Sequence, residues 1–184
     1  MLQMQSKFRF LCAGAAFVLV TAFSQAAFAD ATMEDEDTVT GDEFAPDWAD
    51  PDWAAKLSQA QAESRIRGAG IGIWSSGGCS NRYKSNCTSL DQINDRTVNG
   101  IITLKGASGC GITITGGTET GHASGTYSHW NGYKVDISFS GCIDSYITRN
   151  FSYIGKRGDG APMYKSAAGN IYAKESSHWD ITYY

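Results

Sequence analysis

The sequence predicts an α+β domain, a small antiparallel sheet with flanking helices. Three observations predict it. "CGITITGG" and "YKVDISFSG" alternate apolar and polar residues, the period of a half-buried strand. "WAAKLSQAQAESRIRG" and "TSLDQINDRTVNGIITLKGASG" carry helical spacing instead. The chain is also rich in glycine (21) and poor in proline (3), a turn-rich composition for a folded domain. With 184 residues and a net charge of −4, it suits one domain with extensions. No Lys/Arg cluster is present, which argues against a nucleic-acid partner.

The N-terminus reads as an export signal. "MLQMQSKFRF" carries Lys7 and Arg9, an apolar run follows, and "SQAAFA" supplies small residues before Asp30. The run is short for a transmembrane helix. Residues 1–29 are therefore expected to be a signal peptide, cleaved after Ala29. The product is expected to be secreted or periplasmic, with no membrane anchor after signal removal. Residues 30–65 read as an acidic tail and a helical linker, and residues 66–184 as the functional domain. The tail has no Lys or Arg before Lys56, so a solvated run is expected. Its repeated "PDW" has no assigned partner.

Trp53 to Gly68 reads as a polar helix ended by glycine, packed on the domain or serving as a linker. "IGIW" reads as a short strand in a glycine-rich segment. The next helix has Thr88 or Ser89 as its N-cap, with Leu90, Ile93, Ile101 and Leu104 on one stripe. Asn99-Gly100 weakens its middle and could split it. Then follow strands at Gly111–Thr115 and Lys134–Phe139, a hairpin in "MYKSAAGNIYAKE" and a last strand in "SHWDITYY".

Four cysteines remain after the signal: Cys79, Cys87, Cys110 and Cys142. An even count in an exported chain suggests two disulfides, for which three pairings exist. Cys79–Cys87 is preferred because it closes a short polar loop. Cys110–Cys142 is preferred because an antiparallel pair of strands brings those two positions together. No C-x-x-C spacing points to a tetra-cysteine zinc site.

The candidate chemistry lies in "YSHWNGYKVDI" and "ESSHWD". Zinc in a catalytic site takes three protein ligands and leaves a position open. His129, Asp136 and His178 supply two neutral ligands and an anionic one. Gly132 permits the turn that lets His129 and Asp136 converge. Val135 and Ile137 then face the core, so the Asp136 carboxylate faces the other way. Glu175, just ahead of His178, suits a general base. Core packing is expected of Trp130 and Trp179, with a substrate-groove wall as the second role.

"SHWNGYKVDI" and "ESSHWD" resemble the S-x-H-x-x-G-x-A-x-D and E-x-x-H signatures of zinc D-Ala-D-Ala carboxypeptidases and dipeptidases, peptidase family M15. The resemblance spans roughly Ser89 to Tyr184. It implies a hedgehog/DD-peptidase-like fold, Zn2+ at His129, Asp136 and His178, and Glu175 as base. It also implies peptidoglycan peptides as substrates. Separately from the resemblance, a monomer is expected. The chain departs from the family at three points. Ser128 is adjacent to the first ligand. Lys134 stands where alanine is common. No Arg or Lys lies between Gly111 and Ser128, where the family's oxyanion-stabilising arginine is expected. His122 is the candidate catalytic substitute. Two other readings stand beside the peptidase: a non-catalytic zinc-containing module that grips cell wall or a protein, and a disulfide-stapled structural protein without metal.

Overall fold

The computed structural model describes residues 55–184. The expected signal peptide, the acidic tail and both "PDW" repeats lie outside the described residues. The described part belongs to one compact unit. It is a mixed α+β fold with three helices and nine strands.

Chain order begins with β1 (Lys56–Leu57), α1 (Gln59–Gly68) and β2 (Gly72–Ile73). β3 (Ile93–Asn94), α2 (Asp95–Ser108), β4 (Thr113–Gly116) and β5 (Lys134–Ser138) follow. Next come α3 (Gly141–Asn150) and β6 (Ser152–Lys156). β7 (Pro162–Lys165), β8 (Ile171–Lys174) and β9 (His178–Thr182) close the fold. β1 and β3 form a small antiparallel two-stranded sheet. The main sheet has seven strands in the order β2-β4-β5-β9-β8-β7-β6, and only β2 and β4 run parallel. Both expected disulfides are present, with Cα–Cα distances of 4.8 Å for Cys79–Cys87 and 5.7 Å for Cys110–Cys142.

The two faces of the sheet differ. In β5 and β9, Val135 pairs with Ile181 and Ile137 with Trp179, and all four are fully buried. Helices α1, α2 and α3 cover this face through Ala62, Ile66, Val98, Ile101, Leu104, Ile143 and Ile147. Each such aliphatic side chain contributes about 1.5–3 kcal/mol on burial. The alternate positions, Asp136 opposite Asp180 and Ser138 opposite His178, lie on the other face. There a second, smaller apolar cluster of Ala161, Met163, Ile171, Ala173 and Tyr184 leaves room for a polar cleft.

Of the two roles open to the first helix, packing on the domain is the observed one. α1 is capped by Ser58 and Gln61, each side chain bonded to the other's backbone N–H, a box worth about 1 kcal/mol. α2 departs from expectation. It begins at Asp95, with Asn94 at the cap, not at Thr88 or Ser89. The hydroxyl and backbone of those two residues bond elsewhere: Thr88 Oγ1 donates to the Trp74 and Thr115 carbonyls, and the Ser89 carbonyl accepts from Thr118 N–H. Gln92 takes a left-handed φ of 63°, which no helix continues through. Asn99-Gly100 does not split α2. A Cβ on Gly100 would lie 2.1 Å from the Tyr183 ring, so the glycine is there for close packing.

Two elements escape the alternation argument. β6 contains Gly155 and a bulge between Tyr153 and Gly155, which breaks its period. α3 opens at Ser140, whose hydroxyl accepts from Ile143 N–H. Its Asp144 accepts from the Trp179 indole at 2.8 Å, fastening the helix to β9. No helix among the described residues is long and apolar enough to cross a membrane. The two disulfides are compatible with an extracellular protein.

Candidate metal centre

The turn between β4 and β5 builds the first half of the site. Gly132 has φ 79°, and a Cβ on it would lie 2.5 Å from the Gln92 carbonyl oxygen. Only glycine fits both conditions. The chain therefore turns between His129 and Asp136, as the sequence requires. His129 is 4 % exposed and Asp136 5 %.

His129 Nδ1 donates to the Gly117 carbonyl at 2.7 Å. Its Nε2 then faces Asp136 Oδ1 at 3.2 Å. His178 Nε2 approaches the same oxygen at 3.4 Å. His122 Nδ1 lies 3.8 Å from Asp136 Oδ2, and its ring stacks on that of His129 at 3.8 Å and 16°. The Asp136 carboxylate is thus met by three imidazoles. His122, His129 and Asp136 form a group that could hold a metal ion, one ligand atom of each lying within 4.8 Å of the others.

The donor set fits such an ion. Asp136 Oδ1 and Asp180 Oδ1 are buried with no hydrogen-bond partner. An uncompensated buried carboxylate oxygen is costly, and a cation answers that cost. Two ligand atoms bound at roughly 2.0–2.1 Å in tetrahedral array lie roughly 3.3 Å apart. The His129 and His178 nitrogens lie 3.2 and 3.4 Å from Asp136 Oδ1. Without an ion, burial opposes a charge on His129. The nearby Asp136 and Asp180 carboxylates outweigh that burial and the repulsion from Lys134, so its pKa is raised. The pocket attracts positive charge at this point.

Around the centre lies an ion-pair network. Asp180, opposite Asp136 on β9, sits 3.8 Å from His129 Nε2 through its Oδ1. Its Oδ2 accepts from Lys134 Nζ at 3.1 Å and from Arg157 at 2.7 Å. Burial pushes the Asp180 carboxyl up, but Lys134, His129 and Arg157 pull it down to about 2. Arg157 also donates to Asp159 and to Glu175 Oε1. Glu175 follows β8, its N–H closing the turn on the His178 carbonyl at 3.0 Å. Its Oε2 lies 3.3 Å from His178 Nε2. His178 Nδ1 meets Ser177 Oγ at 3.0 Å, leaving Nε2 for the centre.

His122, His129, Asp136, Glu175 and His178 all line one cleft of about 580 Å³. The predicted site residues therefore share one cleft, but the group whose ligand atoms all lie within 4.8 Å of one another is His122, His129 and Asp136, without His178. The structure puts His122 among the possible ligands, a position that its sequence context did not indicate. Lys134, Arg157 and Asp180 also line it. Period-two alternation through "SHWDITYY" could have found Asp180, since it shares a face with His178. Arg157 had no such signal. It reaches the cleft from the turn between β6 and β7, and β6 was unassigned. Trp179 packs in the core as expected, whereas Trp130 is 41 % exposed, against the expectation of core packing. The Arg82 guanidinium lies over its ring at 3.9 Å.

Compared with protein-family models, with curated proteins and with solved structures, the chain matches none.

Proposed function

We propose that the chain is an exported zinc-dependent peptidase acting on peptidoglycan peptides, of the D-Ala-D-Ala carboxypeptidase or murein endopeptidase type. One observation carries the reading. The two motif halves, far apart in sequence, meet in one cleft, with Glu175 Oε2 and Asp136 Oδ1 both within 3.4 Å of His178 Nε2. The resemblance to peptidase family M15 and its hedgehog/DD-peptidase fold supplies the substrate class.

His129, Asp136 and His178 would hold the ion, with His122 as a further ligand. Zinc bound there would supply Lewis acidity, polarising the scissile carbonyl and acidifying water. Glu175 would take the proton of the attacking water and return it to the leaving amine. Arg157 fixes Glu175 through Oε1 and shares Asp180 with Lys134. Lys134 thereby gains a role: its ammonium stands at the cleft with donors to spare for a substrate oxygen. These two cations answer the absence of an Arg or Lys between Gly111 and Ser128.

A second reading is a non-catalytic module that grips wall peptide. The ion pair to Arg157 favours it, because Glu175 has both oxygens occupied, one by Arg157 and one beside His178. One experiment separates the two. Metal content and hydrolysis of defined muropeptides are measured for the wild type and for Glu175→Ala. Stoichiometric zinc with hydrolysis lost in the variant supports the peptidase. Zinc with no turnover, but with wall-fragment binding, supports the module. Absence of zinc sinks both.

A further inference from the structure

The geometry points to Glu119 as the residue that makes His122 a metal ligand, by fixing which ring nitrogen carries the proton. This rests on the metal-centre reading above. Glu119 is 3 % exposed, a depth at which a carboxylate requires partners. It has three. Ser89 N–H donates to Oε2 at 2.7 Å, Gly117 N–H is shared between both oxygens at 3.1 Å, and His122 Nε2 lies 3.1 Å from Oε1. A carboxylate offers only acceptors, so the His122 contact requires a proton on Nε2. In a neutral imidazole Nδ1 then carries the lone pair. That is the nitrogen facing Asp136 Oδ2, at 3.8 Å.

The anchor is itself fixed. Thr118 N–H and Oγ1 bond to the Ser89 and Asp91 carbonyls, pinning the segment that carries Glu119. On the other side of the His122 ring lies His129, stacked at 3.8 Å. The ring is therefore held by its edge and by its face. A buried carboxylate behind a ligating histidine sets its tautomer and strengthens it as a ligand. His129 uses a backbone carbonyl for the same purpose. Neither the M15-like motifs nor their spacing includes Glu119 or His122.

Glu119→Gln tests the assignment with little change of shape. The amide oxygen must stay at the Oε2 position to accept from Ser89 N–H. The amide NH2 then faces His122 Nε2, which must become the acceptor. The ring proton moves to Nδ1 and blocks that nitrogen. The measurement is Zn2+ affinity by chelator competition on the intact exported chain, together with thermal melting without metal. The expected result is about 10–100-fold weaker Zn2+ binding in Glu119→Gln, with the metal-free melting temperature close to wild type. Unchanged affinity in a folded variant overturns the assignment while leaving the metal centre standing. A wild type that binds no Zn2+ overturns both. Nitrogen-15 NMR of wild-type His122 decides the matter independently if the variant does not fold. A proton on Nε2, with Nδ1 shifted on zinc addition, supports the assignment, and a proton on Nδ1 overturns it.

Discussion

The cleft has an inner and an outer half, and they are held by different forces. In the inner half, His129 and Asp136 are nearly inaccessible, and His122, its side chain 26 % exposed, is held by buried Glu119. Their orientation comes from the Gly117 carbonyl, from ring stacking and from backbone N–H groups on Glu119. In the outer half, the His178 and Glu175 side chains are 25 % and 28 % exposed. They are oriented by Ser177 Oγ and by the Arg157 guanidinium, side chain against side chain. Buried groups tied to backbone lose little freedom when an ion arrives, so the inner half is suited to holding metal. Exposed groups tied by ion pairs can exchange partners when a substrate enters. On the proposed function, the difference gives grip to one half and chemistry to the other.

Substitution at the centre is expected to have the largest effect. Asp136→Asn removes the carboxylate that all three histidines approach. It should abolish stoichiometric metal, read by elemental analysis of the purified protein. His178→Ala, in the outer half, should weaken binding yet leave it measurable, because His122, His129 and Asp136 remain a group. Equal loss in both variants would break the comparison. Next comes Glu175→Gln. Hydrolysis should fall by about 10²–10⁴-fold with metal content unchanged, and a parallel loss of metal would put Glu175 in the inner half.

Changes outside both halves set the background. Gly100→Ala drives a methyl into the Tyr183 ring and should cost about 3 kcal/mol, the upper range for overpacking, seen as a lower denaturant midpoint. Tyr172 offers a smaller effect through pH. Burial pushes its phenol up to about 12. A raised pKa on an acid means that the folded form favours the proton. The stability it contributes is whole below about pH 10 and is lost as pH rises through about 12, roughly 3 kcal/mol in all. Alkaline titration followed by tyrosinate absorbance and circular dichroism should show this tyrosine ionising only as the fold melts. Its ionisation in the folded protein at pH 10 would contradict the burial argument.

Local patterns made much of the outer half and the strands legible. Alternation found β4, β5 and β9, and from the first two followed the Cys110–Cys142 bridge. Helical period located α2 but not its start, because Thr88 and Ser89 look like caps and are used to tether the loop that carries Glu119. α3 was legible in principle, since Ser140 caps it and Ile143 and Ile147 share a face, yet a ten-residue helix between strands is easily read as connection. The inner half depends on contacts that leave no local trace. His122 gains meaning from Ser89 and Gly117 through Glu119. Lys134 gains its partner only from Asp180, diagonal to it on the neighbouring strand.

The bridge between Cys110 and Cys142 has a consequence for recovery after damage. It closes a covalent ring with a sequence separation of 32, and His122, His129, Asp136 and Glu119 all lie inside it. Glu175 and His178 lie outside. Such a ring lowers the entropy of the unfolded chain by an amount worth roughly 3–4 kcal/mol. It also keeps the inner ligands close together when everything else has come apart. A chain unfolded by heat but still oxidised would therefore begin refolding with its metal-gripping side chains tethered. A chain unfolded and reduced would have to find them again across open coil.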